Sequence, residues 1–294
     1  MNTAEKTGLA AEMACLLEVS AEKPGNVSPS HNFSDTKYED FLISGAAIGR
    51  AFRNVADSTV GEIILRAVKD TKALTGANTN LGIILLLAPI AKAFTCPDKS
   101  GLRDRLRDVL EKLTVEDAKL AYEAIRLARP GGMGRVEQHD VNVNEITISL
   151  LEAMEQAKSR DSIAKEYVTG YDITFEIGIP ALNNVINKGV STSDAIVQTY
   201  LTILSQVPDT LIARKKGIDE ARHVSDRAVE ILKIGGIFSE KGRDAMKDLD
   251  NFLRRGEKSF APGNRLNPGT TADLTAAVLF VYLMENDLKI LRQE

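Results

Sequence analysis

The sequence contains no tryptophan, few aromatics (5%) and only three histidines among 294 residues. Sparse aromatics argue against a surface that stacks bases as its main business. The formal charge of -4 removes the basic footprint that nucleic-acid binding calls for. The two cysteines, Cys15 and Cys96, form no CxxC and no zinc spacing, so buried free thiols are expected rather than a disulfide or metal framework. No apolar run approaches the ~20 residues of a membrane span. The most apolar stretch, LGIILLLAPIA (81–91), reads as a buried core helix. The N-terminal stretch lacks a basic region followed by an apolar one, so a cytoplasmic location is the expectation. His139-Asp140 invites comparison with metal phosphohydrolases, but three histidines are too few for such a ligand set. His31, in the loop between Lys23 and Asp35, is the histidine best placed for a site role.

What the chain does have is helical periodicity nearly throughout. Leu9, Met13, Leu16 and Leu17 mark one face of a first helix ending near Ser20. TKYE (36–39) has capping-box form, Thr59 opens another helix, and Ser100 and Thr114 read as caps. Pro89 is expected to kink the apolar helix or end its first half. Later helices are expected near Glu145, Asp161, Thr192, Asp219, Glu240 and Thr271. YDITFEIGIP (171–180) is the only strand-like stretch, and its length also suits a bent helix. No strand–helix alternation, repeat or linker is present. The expectation is one all-α domain over 1–294, a multi-helix bundle of ten or more helices whose polar loops converge on one cleft.

Those loops share a composition: Pro or Gly, Asn or Thr, and an acid. They are EVSAEKPGNVSPSHNFSD (18–35), TGANTNLG (75–82), RPGGMGRVEQHDVNVNE (129–145), VPDTLIARKKG (207–217) and GNRLNPGTTAD (263–273). Each alone reads as ordinary helix punctuation. Asp209 after Pro208, for instance, suits a helix start, with Arg214, Lys215 and Lys216 at its C-terminal end before Gly217. Together they gather Glu18, Asp35, Asp140, Asp209 and Asp273 with Lys23, Arg135, Arg214, Lys215, Lys216 and Arg265. Helix N-termini and glycine-rich backbone suit phosphate, and carboxylates suit Mg²⁺. No P-loop is present. Composition alone reaches a phosphorylated ligand, with Mg²⁺ as the expected cofactor.

The segments LLEVSAEKPGNVSP, TGANTNLGIILL, VPDT and NPGTTADLTAA, in this order, resemble the motifs of the triphosphoribosyl-dephospho-CoA synthase family. The resemblance runs from about Glu18 to Ala277. It implies an all-helical enzyme that moves the triphosphoribosyl group of ATP to 3′-dephospho-CoA, releasing adenine. It carries Glu18, Lys23, Pro24, Gly25, Asn78, Thr79, Gly82, Asp209, Thr210 and Asp273 into the site. Asn80-Leu81 stands where the bacterial pattern has His-Lys. The expected roles are Asp35, Asp209 and Asp273 as catalytic acids and bases. Lys23, Gly25, Asn78, Thr79, Gly82, Arg214, Lys215 and Thr271 are expected to bind substrate, and Glu18, Asp35, Asp209 and Asp273 to bind metal. ATP or another nucleotide and a CoA-type acceptor are the expected partners, with no nucleic acid and no membrane; an oligomer stays open. Two other readings stand beside this one: a Mg²⁺-dependent hydrolase or transferase of another nucleotide or sugar phosphate, and a non-catalytic helical ligand-binding protein.

Overall fold

The computed structural model describes residues 1–98, 100–128, 146–255 and 265–289. Asp140, Arg135, His139 and the helix start expected at Glu145 lie outside them. Among the described residues there are fourteen α-helices and no strand. They are α1 (Thr3–Ser20), α2 (Tyr38–Arg53), α3 (Val60–Leu74), α4 (Leu81–Thr95), α5 (Leu102–Glu111), α6 (Val115–Ala128) and α7 (Leu150–Ala157). The chain continues through α8 (Ser162–Thr169), α9 (Ile179–Ile186), α10 (Thr192–Gln206), α11 (Thr210–Lys216), α12 (Ile218–Lys233), α13 (Glu240–Arg254) and α14 (Gly269–Glu285). Among the described residues no helix is long and apolar enough to cross a membrane.

Two helices form the centre. Every residue of α4 from Ile83 to Ala91 is buried, as its all-round apolarity demands. The second, α14, buries Leu274 through Val281 and packs against α1, α4 and α10. Pro89 does not end α4. Lacking an N–H, it leaves the carbonyl of Leu85 without its helical donor. The buried Tyr167 hydroxyl donates to that carbonyl at 2.6 Å, and Tyr171 donates to the next one, Leu86, at 2.7 Å. The α8 region thus completes the hydrogen bonding that α4 cannot complete alone.

The strand-like stretch becomes a π-helical turn, Ile173–Gly178, running into α9. A buried acid that precedes it explains why. Glu166 accepts hydrogen bonds from the amides of Ile173 (2.7 Å) and Thr174 (3.1 Å) and from the Thr174 hydroxyl (2.7 Å). Burial pushes its pKa up to about 7, against the pull of these donors. The chain enters the turn through Gly170 and Tyr171, both with positive φ (66° and 64°).

Most helix starts follow their caps. Thr59 with Glu62 and Thr114 with Asp117 bond reciprocally, and Asp161, Ser191 and Asp209 cap α8, α10 and α11. Two expected caps are displaced. Lys37, not Thr36, precedes α2, because Asp40 takes the Lys37 amide at 2.8 Å. Gly101, not Ser100, precedes α5.

Candidate active site

The N-terminal ends of α4, α8, α11 and α14 and the loop after α1 open on a cavity of about 780 Å³. Its lining mixes two chemistries. Tyr122, Ile125 and Met154 from α6 and α7, with Leu85 and Ile163, make an apolar wall. The same cavity is lined by Glu18, Asp35, Asp161 and Asp273 and by the cations Arg160, Arg214, Lys215 and Arg265. Of the expected site residues, Glu18, Asp35, Asn78, Thr79, Gly82, Arg214, Lys215 and Asp273 line this one cavity. Lys23, Gly25, Asp209 and Thr271 do not.

Lys23 is expected at a phosphate, and its geometry leaves it no free donor for one. The side chain is wholly buried; its ammonium pairs with Glu18 at 3.0 Å and donates to the carbonyls of Glu18 and Ala21. A buried amine with three donors and three acceptors is saturated. It anchors Glu18, which does face the cavity. Burial pushes the Glu18 carboxyl up, and Lys23 pulls it back. Gly25 supports the same loop from behind. Its φ is 78°, its amide donates to Asp250 at 2.7 Å, and an added Cβ would lie 2.6 Å from Leu253 and 2.9 Å from Pro268. Only glycine lets the Lys23-Pro24-Gly25 turn pack directly on the Pro268-Gly269 turn. Tyr200 locks the loop further, donating to the Pro24 carbonyl at 2.8 Å and accepting from Asn26 at 3.0 Å.

The two acids Asp209 and Asp273 part company. Asp209 is buried and has both carboxylate oxygens engaged. One oxygen accepts the amides of Leu211 (2.9 Å) and Ile212 (3.0 Å); the other accepts the Thr271 amide (2.7 Å) and hydroxyl (2.8 Å). It caps α11 and ties α11 to the first turn of α14, and this explains why Thr271 also faces away from the cavity. Asp273 lies a turn later, as the fifth residue of α14, too far along to cap it. No described residue donates a hydrogen bond to its carboxylate, which is enclosed by protein yet open to the cavity. It lies against the start of α4: a Cβ on Gly82 would sit 2.0 Å from its Oδ2. Burial raises its pKa well above the ordinary carboxylate value; Glu18, Asp209 and Asp161 raise it further, and Arg214 opposes them.

Around the mouth, Asp35 pairs with Arg265 at 2.8 Å, and that guanidinium stacks on Phe33 at 3.8 Å from the ring centre. Asp35 is therefore a rim anchor for Arg265. Lys215 has no described ion-pair partner, and burial, then the nearby Arg265, lower its pKa. A cation disfavoured by its neighbours is a site for an anion. At the start of α4 the N-cap side chain, Asn80, makes no capping bond. It turns inward to the Ser44 carbonyl at 3.1 Å. Leu81, Gly82 and Ile83 all line the cavity, so this helix N-terminus meets it uncapped. Thr79 bonds the Ser44 hydroxyl.

Sequence reasoning places Asp161 only at a helix start. In the structure it lines the cavity and pairs with Arg214 at 2.6 Å. The Asp-Ser cap is its visible signal in the sequence; a partner 53 residues away leaves none. Arg160, Asn26 and Asn267 also line the cavity.

Among the described residues no group of three or more His, Cys, Asp or Glu side chains could hold a metal ion by itself. Mg²⁺ shared with a polyphosphate needs only one or two carboxylates. Glu18 and Asp273 fit that demand: both face the cavity, and Glu18 raises the cost of charging Asp273 where no cation intervenes. Asp209, with both oxygens engaged, does not fit, and Asp35 is held by Arg265.

Comparison with known proteins gives a consistent result. A family model described as ATP:dephospho-CoA triphosphoribosyl transferase matches residues 4–291. A Malonomonas rubra protein assigned as a 2-(5′′-triphosphoribosyl)-3′-dephosphocoenzyme-A synthase is 25% identical, covering 92% of this chain and 85% of that one. A Salmonella gallinarum protein of the same assignment is 23% identical over 71% of this chain and 62% of its own. A crystal structure from Archaeoglobus fulgidus, assigned as a triphosphoribosyl-dephospho-CoA synthase, superposes with a TM-score of 0.64 at 29% identity. It covers 83% of this chain and 98% of that one.

Proposed function

The chain belongs to the ATP:dephospho-CoA triphosphoribosyl transferase family, and from that premise we propose that it transfers the triphosphoribosyl group of ATP to 3′-dephospho-CoA, releasing adenine. One observation supports this reading above the others. Asp273, a carboxylate with no described hydrogen-bond donor, faces a cavity lined both by cations and by apolar side chains. A protein that only bound a ligand has no need to keep an enclosed carboxyl group without a partner, since that costs stability.

In the proposed reaction the C1′–N9 bond of ATP breaks as the acceptor hydroxyl oxygen forms a bond to C1′. The ribose passes through an oxocarbenium-like transition state, as in glycoside cleavage. Asp273, which faces the cavity and has no described hydrogen-bond donor, takes the acceptor's proton. Its charge also steadies the cationic sugar. Adenine leaves with the electron pair of the broken bond and takes a proton from water, while Asp273 returns the acceptor's proton to solvent, so the cycle balances. Arg214, Lys215 and Arg265 hold the triphosphate, together with the uncapped amides at the start of α4. Holding both reactants in line supplies much of the rate. Glu18, whose carboxylate also lines the cavity, would hold Mg²⁺, which would supply neutralisation of phosphate charge. The apolar wall of Tyr122, Ile125 and Met154 takes a base or the pantetheine arm.

Adenine release from ATP, followed with and without 3′-dephospho-CoA, tests the proposal. Release that depends on the acceptor, with the nucleotide product joined to it, is expected. Phosphate or ribose release independent of acceptor favours the hydrolase reading instead.

A further inference from the structure

Asp161 has no part in the chemistry above, yet its two oxygens serve different elements at the cavity. Oδ1 accepts the Ile163 amide at 2.9 Å and so caps α8; Oδ2 accepts from Nη1 of Arg214, on α11, at 2.6 Å. Both side chains are about a quarter exposed, 28% and 26%, so this contact is shielded but not sealed. A second link runs beside it: the Ser162 amide donates to the Thr210 hydroxyl and that hydroxyl to Thr270, both at 3.2 Å. The starts of α8, α11 and α14 are therefore fixed to one another, and the Asp161–Arg214 pair rides on a rigid frame.

Arg214 has a second acid within its field. It acts electrostatically on Asp273, the carboxylate that no described residue bonds. We propose that Asp161 is a positioning residue: it holds one edge of the Arg214 guanidinium so that the other edge faces the triphosphate. This inference rests on the reading that Arg214 contacts the donor's phosphates. A guanidinium offers five N–H donors in a fixed plane, so anchoring one end aims the rest.

Asp161→Asn separates this role from capping. Asparagine caps a helix about as well as aspartate, but its amide nitrogen does not accept from Arg214. The full-length chain is titrated with inorganic tripolyphosphate by calorimetry as wild type, Asp161→Asn, Arg214→Ala and the double variant, each first checked for folding by thermal melting. Asp161→Asn is expected to weaken tripolyphosphate about tenfold, or ~1.4 kcal/mol. In the Arg214→Ala background the same change is expected to have no further effect, because a residue acting through a missing partner has nothing left to act on. In turnover, KM for ATP rises while KM for dephospho-CoA stays unchanged, a split that a merely structural defect does not produce. Wild-type affinity in Asp161→Asn overturns the proposal. So does an equal loss in both backgrounds, or a wild-type chain with no tripolyphosphate affinity. Wild-type binding with the expected non-additivity but no adenine release sustains the positioning role while refuting the transferase reading.

Discussion

Replacing Asp273 with asparagine tests the centre of the site, because its predicted effects on stability and activity have opposite signs. The substitution keeps the size of the side chain and removes its charge. Burial first, then Glu18, Asp209 and Asp161, raise the folded-state pKa of Asp273 well above its ordinary value. Below about pH 4 the carboxyl is protonated in folded and unfolded chains alike. Above that, and up to the raised folded value, the native state holds a proton that the unfolded chain has lost. Wild-type stability therefore falls as pH rises through this window. Asp273→Asn removes that loss. Two effects oppose the gain: Arg214 loses a distant counter-charge, and the N-terminus of α4 loses an anion worth ~0.3–1 kcal/mol. Desolvation and three acids outweigh one shared cation and one helix end. The net expectation is a gain of ~0.5–2 kcal/mol at pH 8, roughly 1–4 °C in Tm for a chain of this size. The difference from wild type should shrink towards pH 4. Melting in EDTA at both pH values measures this without metal. Acceptor-dependent adenine release, in the same preparations, should fall by at least about a hundredfold, as loss of a general base does. A variant that melts lower at pH 8 shows that the carboxylate holds the fold together. One that retains wild-type turnover shows that it does no chemistry. Either result refutes the assignment.

Asp209→Asn is expected to do the reverse: the amide cannot accept from both groups of Thr271, so urea unfolding should show a loss of ~2–3 kcal/mol. Gly82→Ala places a Cβ 2.0 Å from Asp273 Oδ2; the carboxylate must move, and kcat should drop steeply while the far-UV spectrum stays helical. Tyr167→Phe leaves the Leu85 carbonyl without its donor, a cost of ~1–3 kcal/mol in denaturant unfolding; in a Pro89→Ala background, where an amide can return, the cost should shrink. Leu86→Ala, at a fully buried position of α4, should cost ~2–5 kcal/mol.

Much of the fold is legible because helices announce themselves locally. The apolar run from Leu81, the caps at Thr59, Thr114 and Asp161, and the end of α1 at Ser20 all stand where periodicity and capping chemistry put them. The π-helical turn after Tyr171 is not legible as such. Its cause is Glu166, a buried acid that an amphipathic reading leaves on the surface. The survival of α4 beyond Pro89 likewise depends on hydroxyls from Tyr167 and Tyr171, about 80 residues away. Such compensation is tertiary, and no window along the chain contains it.

The site divides along the same line. Loop composition gathers Glu18, Asp35, Asn78, Gly82, Arg214, Lys215 and Asp273 to one cavity, since each polar joint lies at a helix end and those ends meet. Composition cannot tell which way a side chain faces. Lys23 sits in one of the segments that carry the resemblance and is turned wholly inward, its charge holding Glu18 in place. Asp209 and Asp273 are both acids beside a proline turn, and composition gives both to catalysis, but helix numbering distinguishes them. Asp209 stands immediately before its helix, where a carboxylate meets free amides and becomes a cap. Asp273 is the fifth residue of its own helix, past the last free amide, so nothing local can satisfy it. A carboxylate placed beyond the reach of its own helix's donors, with a glycine opposite to make room for it, is available to a ligand. That positional difference is present in NPGTTAD and VPDT, and it is the reason the proposed chemistry is given to Asp273 and the cap of α11 to Asp209.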